Sequence, residues 1–331
     1  MATRILSADQ VSTLLPMREC LDLMERALRT LAEGGAQLPL RTVLRLPGER
    51  GFFGTMPAWL DDPRALGLKA ISVFPGNHAA GLDSHQGVVL LFDPETGAPT
   101  AILDAASITA IRTAAVSGAA TRALARPDAA DLAILGSGVQ ARTHLEAMAI
   151  VRDLRRVRAW SPTPRRLAAF VRWAGESLGV EVEPANDARG AVLGADLVCT
   201  VTASATPVVD GTWLAPGAHV NAVGASVATT RELDAWAVAR SRLFVDRRES
   251  ALSEAGDFLL AKSEGAFGEE HIRGEIGEVF AGRVAGRTGP GDITLFKSLG
   301  LAVEDLAAAT HVLRAAEEAS AGVVVELGRR V

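Results

Sequence analysis

Through the middle of the chain, short apolar runs alternate with stretches of helical period. Residues 131–135 form an apolar run that stops at Gly136, and a helical pattern follows from about 139 to 151. A second strand-like run at 157–160 precedes a helical pattern over 164–178, and further buried-strand runs lie at 197–201, 219–223 and 243–245. Such alternation predicts parallel βαβ units. The first 115 or so residues are patterned differently. Two helical stretches, 7–15 and 17–31, come before strand-like runs at 41–46, 66–74 and 87–92. The turn Asp93-Pro94-Glu95-Thr96-Gly97 leads into Thr100-Ala101-Ile102-Leu103 and predicts a hairpin. Beyond Gly291, apolar residues at Leu299, Val303, Leu306, Ala309 and Leu313 predict a long amphipathic helix. The expected fold class is α/β. An α+β domain covers 1–115 and is completed by a C-terminal helix at 298–331, with a doubly wound domain over 116–297.

Composition narrows the function classes. At 331 residues, 48% hydrophobic and 22% charged, the chain is a compact globule outside the disordered class. A formal charge of −5, from 34 basic and 39 acidic residues, argues against an electrostatic nucleic-acid binder. No apolar run reaches the roughly 18–20 residues of a membrane span, and Met1-Ala2-Thr3-Arg4-Ile5-Leu6-Ser7 has no signal-length apolar stretch. Two distant cysteines, Cys20 and Cys199, give neither a disulfide framework nor zinc spacing, so a cytoplasmic protein is expected. The absence of tyrosine removes reductases whose general acid is a tyrosine. Only three of the basic residues are lysines, Lys69, Lys262 and Lys297.

Gly136-Ser137-Gly138-Val139-Gln140-Ala141 fits G-x-G-x-x-G/A between a strand and a helix. The first glycine permits the tight turn, the second admits pyrophosphate to the backbone, and the helix N-terminus favours its charge. NAD enzymes usually carry an acid at the end of the next strand, to hold the ribose hydroxyls. Here that strand ends Trp160-Ser161-Pro162-Thr163-Pro164-Arg165-Arg166, with hydroxyls and arginines and no acid. Ser161, Thr163 and Arg165 would welcome a 2′-phosphate, which predicts NADPH (NADP) as cofactor, with NADH second.

Two cations sit where apolar residues are expected. Lys69 interrupts the core-strand run 66–74, and Arg112 interrupts the small, apolar helix start 108–117. Burying either one alone would be expensive. A bound carboxylate would supply the countercharge, and burial would lower the lysine pKa into a range useful for proton transfer. A structural ion pair, or an edge-strand lysine facing water, is the alternative reading.

Seven ordered motifs make the chain resemble the ornithine cyclodeaminase/mu-crystallin family along nearly its whole length. They are Leu40-Arg41-Thr42-Val43, Gly51-Phe52-Phe53-Gly54-Thr55-Met56-Pro57-Ala58, Ser84-His85-Gln86-Gly87, residues 108–115, Gly136 to Ala141, Asn221-Ala222-Val223-Gly224-Ala225-Ser226, and Phe296-Lys297-Ser298-Leu299-Gly300. The resemblance implies a homodimer of a substrate-binding and dimerisation domain with a Rossmann-type domain. It implies that Arg41, Lys69 and Arg112 meet the carboxylate of an amino or imino acid; His85 is a further candidate for lining the substrate pocket, with loop packing or hydrogen bonding as the alternative reading. The resemblance also implies a cofactor pocket lined by Thr113, Val139, Gln140, Thr200, Val201, Thr202, Val223, Ser226 and Ser298, beside the glycine turn. Two departures from the cyclodeaminase pattern matter: Gly54 and Ser226 stand where the cyclodeaminases look to carry acids. Serine cannot replace a carboxylate as base at neutral pH. Both changes place the chain nearer the mu-crystallin, ketimine-reducing branch.

The expected activity is therefore NADPH-dependent reduction of a cyclic ketimino acid, 1-pyrroline-2-carboxylate or 1-piperideine-2-carboxylate, with Lys69 as proton donor. The alternatives are an amino-acid or opine-type dehydrogenase, an ornithine cyclodeaminase, or a non-catalytic NADPH-binding, crystallin-like protein. No metal is expected, because the six histidines include no HExxH and no close ligand pair. Cys199 reads as a small core residue. Lys297 reads as a solvated helix position, and no nucleic-acid or membrane partner is expected.

Overall fold

The computed structural model describes residues 2–327; residue 1 and residues 328–331, which the sequence reading assigns to the first domain, lie outside the described residues. The chain forms two compact units. One comprises residues up to Arg112 together with those from Leu301 onward, and the other comprises Thr113–Gly300.

The first unit begins with β1 (Ala2–Leu6), α1 (Ala8–Leu14) and α2 (Met17–Ala32). Ser7 and Gln10 form a capping box that starts α1. The buried residues Met17, Cys20, Leu21, Met24, Ala27 and Leu28 form the apolar stripe of α2. Then come β2 (Ala36–Gln37), β3 (Thr42–Arg45), β4 (Phe52–Asp61), β5 (Arg64–Val73), β6 (His85–Phe92), β7 (Pro99–Asp104) and α3 (Ala105–Leu124), which runs past the unit's end. After the second unit the chain returns with a helix, Ala302–Glu318, and a strand, Val323–Glu326. The mixed sheet runs from that last strand through β1, β7, β6, β5 and β4 to β2, and β3 also pairs with β4.

β4 was not among the expected strands because Gly54 and Pro57 interrupt its pattern. Pro57 is tolerated because β2 pairs with Trp59 and Leu60 and β3 pairs with residues 52–55, so Pro57 falls in the gap. Along β5, Ala65, Gly67, Lys69 and Ile71 are buried in strict alternation, which puts Lys69 on the core face. The C-terminal helix packs on β4, β5 and β6. A Cβ at Gly67 would stand 2.8 Å from Leu306 Cδ2, so the missing side chain lets this helix seat closely. The helix starts at Ala302, leaving Leu299 outside it, and Ala302–Ala309 are buried without interruption.

The second unit holds β8 (Asp131–Leu135), α4 (Val139–Val151), β9 (Arg156–Trp160), α5 (Pro164–Trp173), β10 (Glu183–Pro184), β11 (Leu197–Thr200), β12 (His219–Ala222), β13 (Ser241–Val245), β14 (Ile272–Glu275) and β15 (Ile293–Lys297). Its sheet has the order β10-β9-β8-β11-β12-β15-β13-β14, and every ladder is parallel. The small and branched residues Ala133, Leu135, Val198, Val220, Leu243, Val245 and Leu295 form its core. Lys297 corrects the expectation of a solvated helix position: it ends β15 and is 1% exposed. A buried strand tolerates it because a carboxylate waits for it in the core, as described below.

Two histidines are locked inside this unit. His144 bridges Gln140 O and Ser117 Oγ at 2.8 and 2.9 Å, and His219 contacts Thr294 Oγ1 at 3.0 Å. Burial pushes their pKa values down to about 4 and about 3, respectively. Above the unfolded value of about 6.5 neither state takes up a proton. As pH falls below that value the unfolded chain protonates first, so stability is lost toward pH 4 at about 1.4 kcal/mol per pH unit per histidine. Urea midpoints measured between pH 7 and 4.5 are expected to fall steadily, and His144→Gln is expected to remove about one proton's share of that slope. An unchanged slope in the variant would refute the assignment.

Candidate functional site

The parallel register sets the carboxyl ends of the second unit's strands in one row: Trp160, Leu135, Thr200, Ala222, Lys297 and Val245 are successive partners. Ser161, Gly136, Val201, Val223 and Ser298 each follow a member of that row. Five of the expected cofactor positions, scattered over the sequence, thus share one edge of the sheet. The chain order reverses between β8 and β11, and ligands of doubly wound sheets bind outside the strand ends at such a point.

The local geometry fits a dinucleotide there. Gly136 has φ +127°, and a Cβ on it would lie 2.7 Å from Val201 O, so only glycine fits where the two loops touch. Gly138 caps α4 without a side-chain hydrogen bond, a Cβ on it would meet open space, and Val139 beside it is exposed. The first amides of α4 are therefore open to an anion. Ser137 Oγ donates to Ser161 Oγ at 2.9 Å and ties the glycine turn to the end of β9. Thr200 Oγ1 and Ser298 Oγ are buried without a hydrogen-bond partner among the described residues. Buried hydroxyls are normally satisfied, so these two have room for a ligand's polar groups. Thr163 caps α5 through its backbone, and Arg165 is exposed in the first turn. Gln140, in the first turn of α4, and Thr202, Val223 and Ser226, in the loops, are half-buried, and Thr113 is buried on α3.

Charged groups that the sequence reading passed over support this edge. Glu232 accepts from Thr202 N at 2.6 Å and from Gly224 N at 2.7 Å. Asp257 accepts from Glu232 N and Leu233 N at 2.7 and 2.9 Å, and its other oxygen forms a 2.9 Å ion pair with Lys297. Burial, and then Asp257, push the Glu232 carboxyl above its ordinary range. Cys199 is buried in β11, and desolvation pushes its thiol up to about 12, which fits a core residue.

In the first unit, β5, α3 and the C-terminal helix bring Lys69, Thr109, Arg112, Glu304 and Asp305 together. Lys69 Nζ donates to Thr109 Oγ1 at 2.6 Å and to Asp305 Oδ1 at 3.3 Å. Arg112 Nε donates to that same Asp305 oxygen at 2.9 Å, and Nη1 donates to Glu304 Oε2. This corrects the expectation that the two cations wait for a substrate's charge. The protein already supplies two carboxylates, because burying either cation alone costs several kcal/mol. Burial, opposed by Asp305 and aided by Arg112 and Arg41, lowers the Lys69 pKa to about 8. Arg41 is thus within electrostatic reach of the cluster. His85 is exposed at the start of β6, beside Ser84 Oγ at 2.9 Å. It pairs with Val73 while Lys69 pairs with Val89, which puts it about 13 Å away along the strands. Glu304 and Asp305 left a sequence signal, two adjacent acids inside an otherwise apolar helix.

An all-parallel sheet with this strand order, a glycine turn and an open helix N-terminus defines a dinucleotide-binding domain, here joined to an α+β unit with a buried cluster of two cations and two carboxylates. The chain belongs to the ornithine cyclodeaminase/mu-crystallin family, whose model matches residues 1–320. It is 41% identical over 315 residues to the ketimine reductase mu-crystallin of Rattus norvegicus, covering 94% of this chain and 96% of that protein. Among solved structures, the Thermococcus litoralis Delta(1)-pyrroline-2-carboxylate reductase in complex with NADH and L-proline superposes with a TM-score of 0.95 at 39% identity, covering 98% of this chain and 100% of that one. An archaeal alanine dehydrogenase dimer with bound NAD gives 0.94 at 35% identity, covering 99% and 100%.

Asp305 is the group that retains the proton on Lys69. With only three lysines in the chain, isotopic labelling at lysine resolves Lys69 by NMR. Its ammonium is expected to titrate near 8 in the native protein and lower in Asp305→Asn. A variant titrating at or above the native value would refute the electrostatic assignment.

Proposed function

We propose that this protein is an NADPH-dependent reductase of cyclic ketimino acids, converting 1-pyrroline-2-carboxylate or 1-piperideine-2-carboxylate to the cyclic amino acid. The observation that carries the reading is the buried ammonium of Lys69, with its pKa lowered to about 8, in a chain of this family. The cofactor, when bound at the glycine turn, would bring a reduced nicotinamide as the source of hydride for the imine carbon. The chain must hold the carboxylate, exclude water and deliver a proton to the imine nitrogen, and a donor that titrates near the working pH is suited to that transfer. Arg112 is fixed in orientation by Glu304 and Asp305 through Nε and Nη1, and it presents Nη2 to the substrate carboxylate with Arg41 as second clamp. Holding the carboxylate at two points fixes the imine for attack. Thr109 Oγ1 accepts from Lys69 Nζ and donates to Ala105 O, which holds the ammonium in a fixed direction.

Ser161, Thr163 and Arg165 favour NADPH over NADH, since no carboxylate stands there to repel a 2′-phosphate. The reading includes a homodimer. Leu44 on β3 and its cross-strand partner Phe53 on β4 expose an apolar patch, 61 and 41% accessible respectively, and the archaeal relative is a dimer. It also includes a cytoplasmic location, where reduced cofactor is available.

NADPH oxidation is expected on adding either imine without any amine. In this direction kcat should fall about tenfold per pH unit above about 8, as Lys69 loses its proton. Oxidation of the cyclic amino acid should rise through the same pH. Lys69→Met should lose about 100-fold or more in kcat and lose that pH limb. Failure to turn over either imine between mildly acidic and neutral pH would sink the proposal, and a Lys69→Met enzyme as active as wild type would remove the lysine from the chemistry. The alanine dehydrogenase likeness favours one second reading, an amino-acid dehydrogenase. That enzyme would need ammonia together with a 2-oxo acid such as pyruvate, so leaving out the ammonia separates the two.

A further inference from the structure

Glu232 takes no part in the chemistry described above, yet it is fully buried and both its carboxylate oxygens are engaged. Its partners, Thr202 N and Gly224 N, lie two residues beyond Thr200 and Ala222, the last paired residues of β11 and β12. Past the ladder, Val223 N and Gly224 N still donate to Thr200 O at 3.0 and 3.3 Å, which ties the second loop to the end of β11 but leaves Thr202 to the carboxylate. A carboxylate that bonds one loop through Oε1 and the other through Oε2 sets their spacing. Gly224 makes the approach possible: a Cβ there would lie 2.1 Å from Thr202 O and 2.6 Å from Glu232 Cδ. The clamp is itself anchored. Asp257 holds the Glu232 and Leu233 amides, and Lys297, at the end of β15, pairs with Asp257 and donates to Ala222 O at 3.3 Å.

In a doubly wound sheet the pyrophosphate lies at the first βα turn and the adenosine ribose at the end of the next strand. Here these are the turn after β8 and the end of β9. The other half of the cofactor, with its nicotinamide, then lies across the reversal of strand order, over the loops after β11 and β12.

We infer that Glu232 is a positioning residue for the nicotinamide half of the cofactor, acting by fixing the separation of the Thr202 and Gly224 loops. The inference rests on the cofactor reading above. Glu232→Gln keeps the shape but has one acceptor oxygen for two amides, whereas Glu232→Asp keeps the charge on a shorter stem. NADPH binding, followed by its fluorescence, is compared with binding of adenosine 2′,5′-bisphosphate, which lacks the nicotinamide, alongside thermal unfolding of the cofactor-free proteins. NADPH affinity is expected to fall about tenfold in Glu232→Gln and to recover in part in Glu232→Asp, with adenosine 2′,5′-bisphosphate affinity within twofold of wild type in both. Equal weakening of both ligands, or no weakening of NADPH, overturns the inference. Should Glu232→Gln fail to fold, the same two-ligand comparison on Glu232→Asp decides it. A wild-type protein that binds neither ligand overturns the cofactor reading itself, a different outcome from a variant that fails.

Discussion

One carboxylate oxygen, Asp305 Oδ1, meets both Lys69 Nζ and Arg112 Nε in the core of the first unit. Without it, two buried cations would face one another at a cost that no nearby hydroxyl could offset. With it, each cation has a fixed direction and a defined proton affinity. The lysine pKa stays near neutral because burial and Asp305 oppose one another. The arginine is gripped by two carboxylates, which fix the direction of its guanidinium. The same network that permits burial thus also sets the direction of both cations and the proton affinity of the lysine.

The second unit solves a similar problem in a similar way. Lys297 ends a central strand in full burial, and Asp257 meets it there. A group of buried charges then reaches the loop amides through Glu232. In both units a lysine on a strand is neutralised by an acid on a helix, Asp305 on Ala302–Glu318 and Asp257 on Gly256–Ser263. Replacing such pairs with apolar residues is often neutral or stabilising in other proteins, so stability alone is a weak reason to retain them.

The positions that depart from the cyclodeaminase pattern fit this picture. Gly54 is buried within β4, where a Cβ would find Ile71 Cγ2 at 3.6 Å, an ordinary contact. Steric exclusion therefore does not explain the missing acid. Ser226 follows the Gly224 loop and cannot hold a charge at neutral pH. Neither position carries an acid in this chain.

Much of this was legible in the amino-acid order, because it depends on local rules. The strand–glycine–helix turn at Gly136, the alternation that buries Lys69 and the hairpin at residues 93–97 follow from backbone geometry and periodicity over a few residues. β4 and β15 escaped because their meaning is set by neighbours: a proline is harmless where its strand is paired on one side only, and a terminal lysine is harmless where an aspartate waits. The choice between a lysine waiting for substrate and one already paired lay beyond local rules, since Asp305 is 236 residues away along the chain. The alternation along the chain put Lys69 in the core; only the tertiary structure buried Lys297 and decided what neutralises both lysines, because electrostatic energy depends on separation in space and not on separation along the chain.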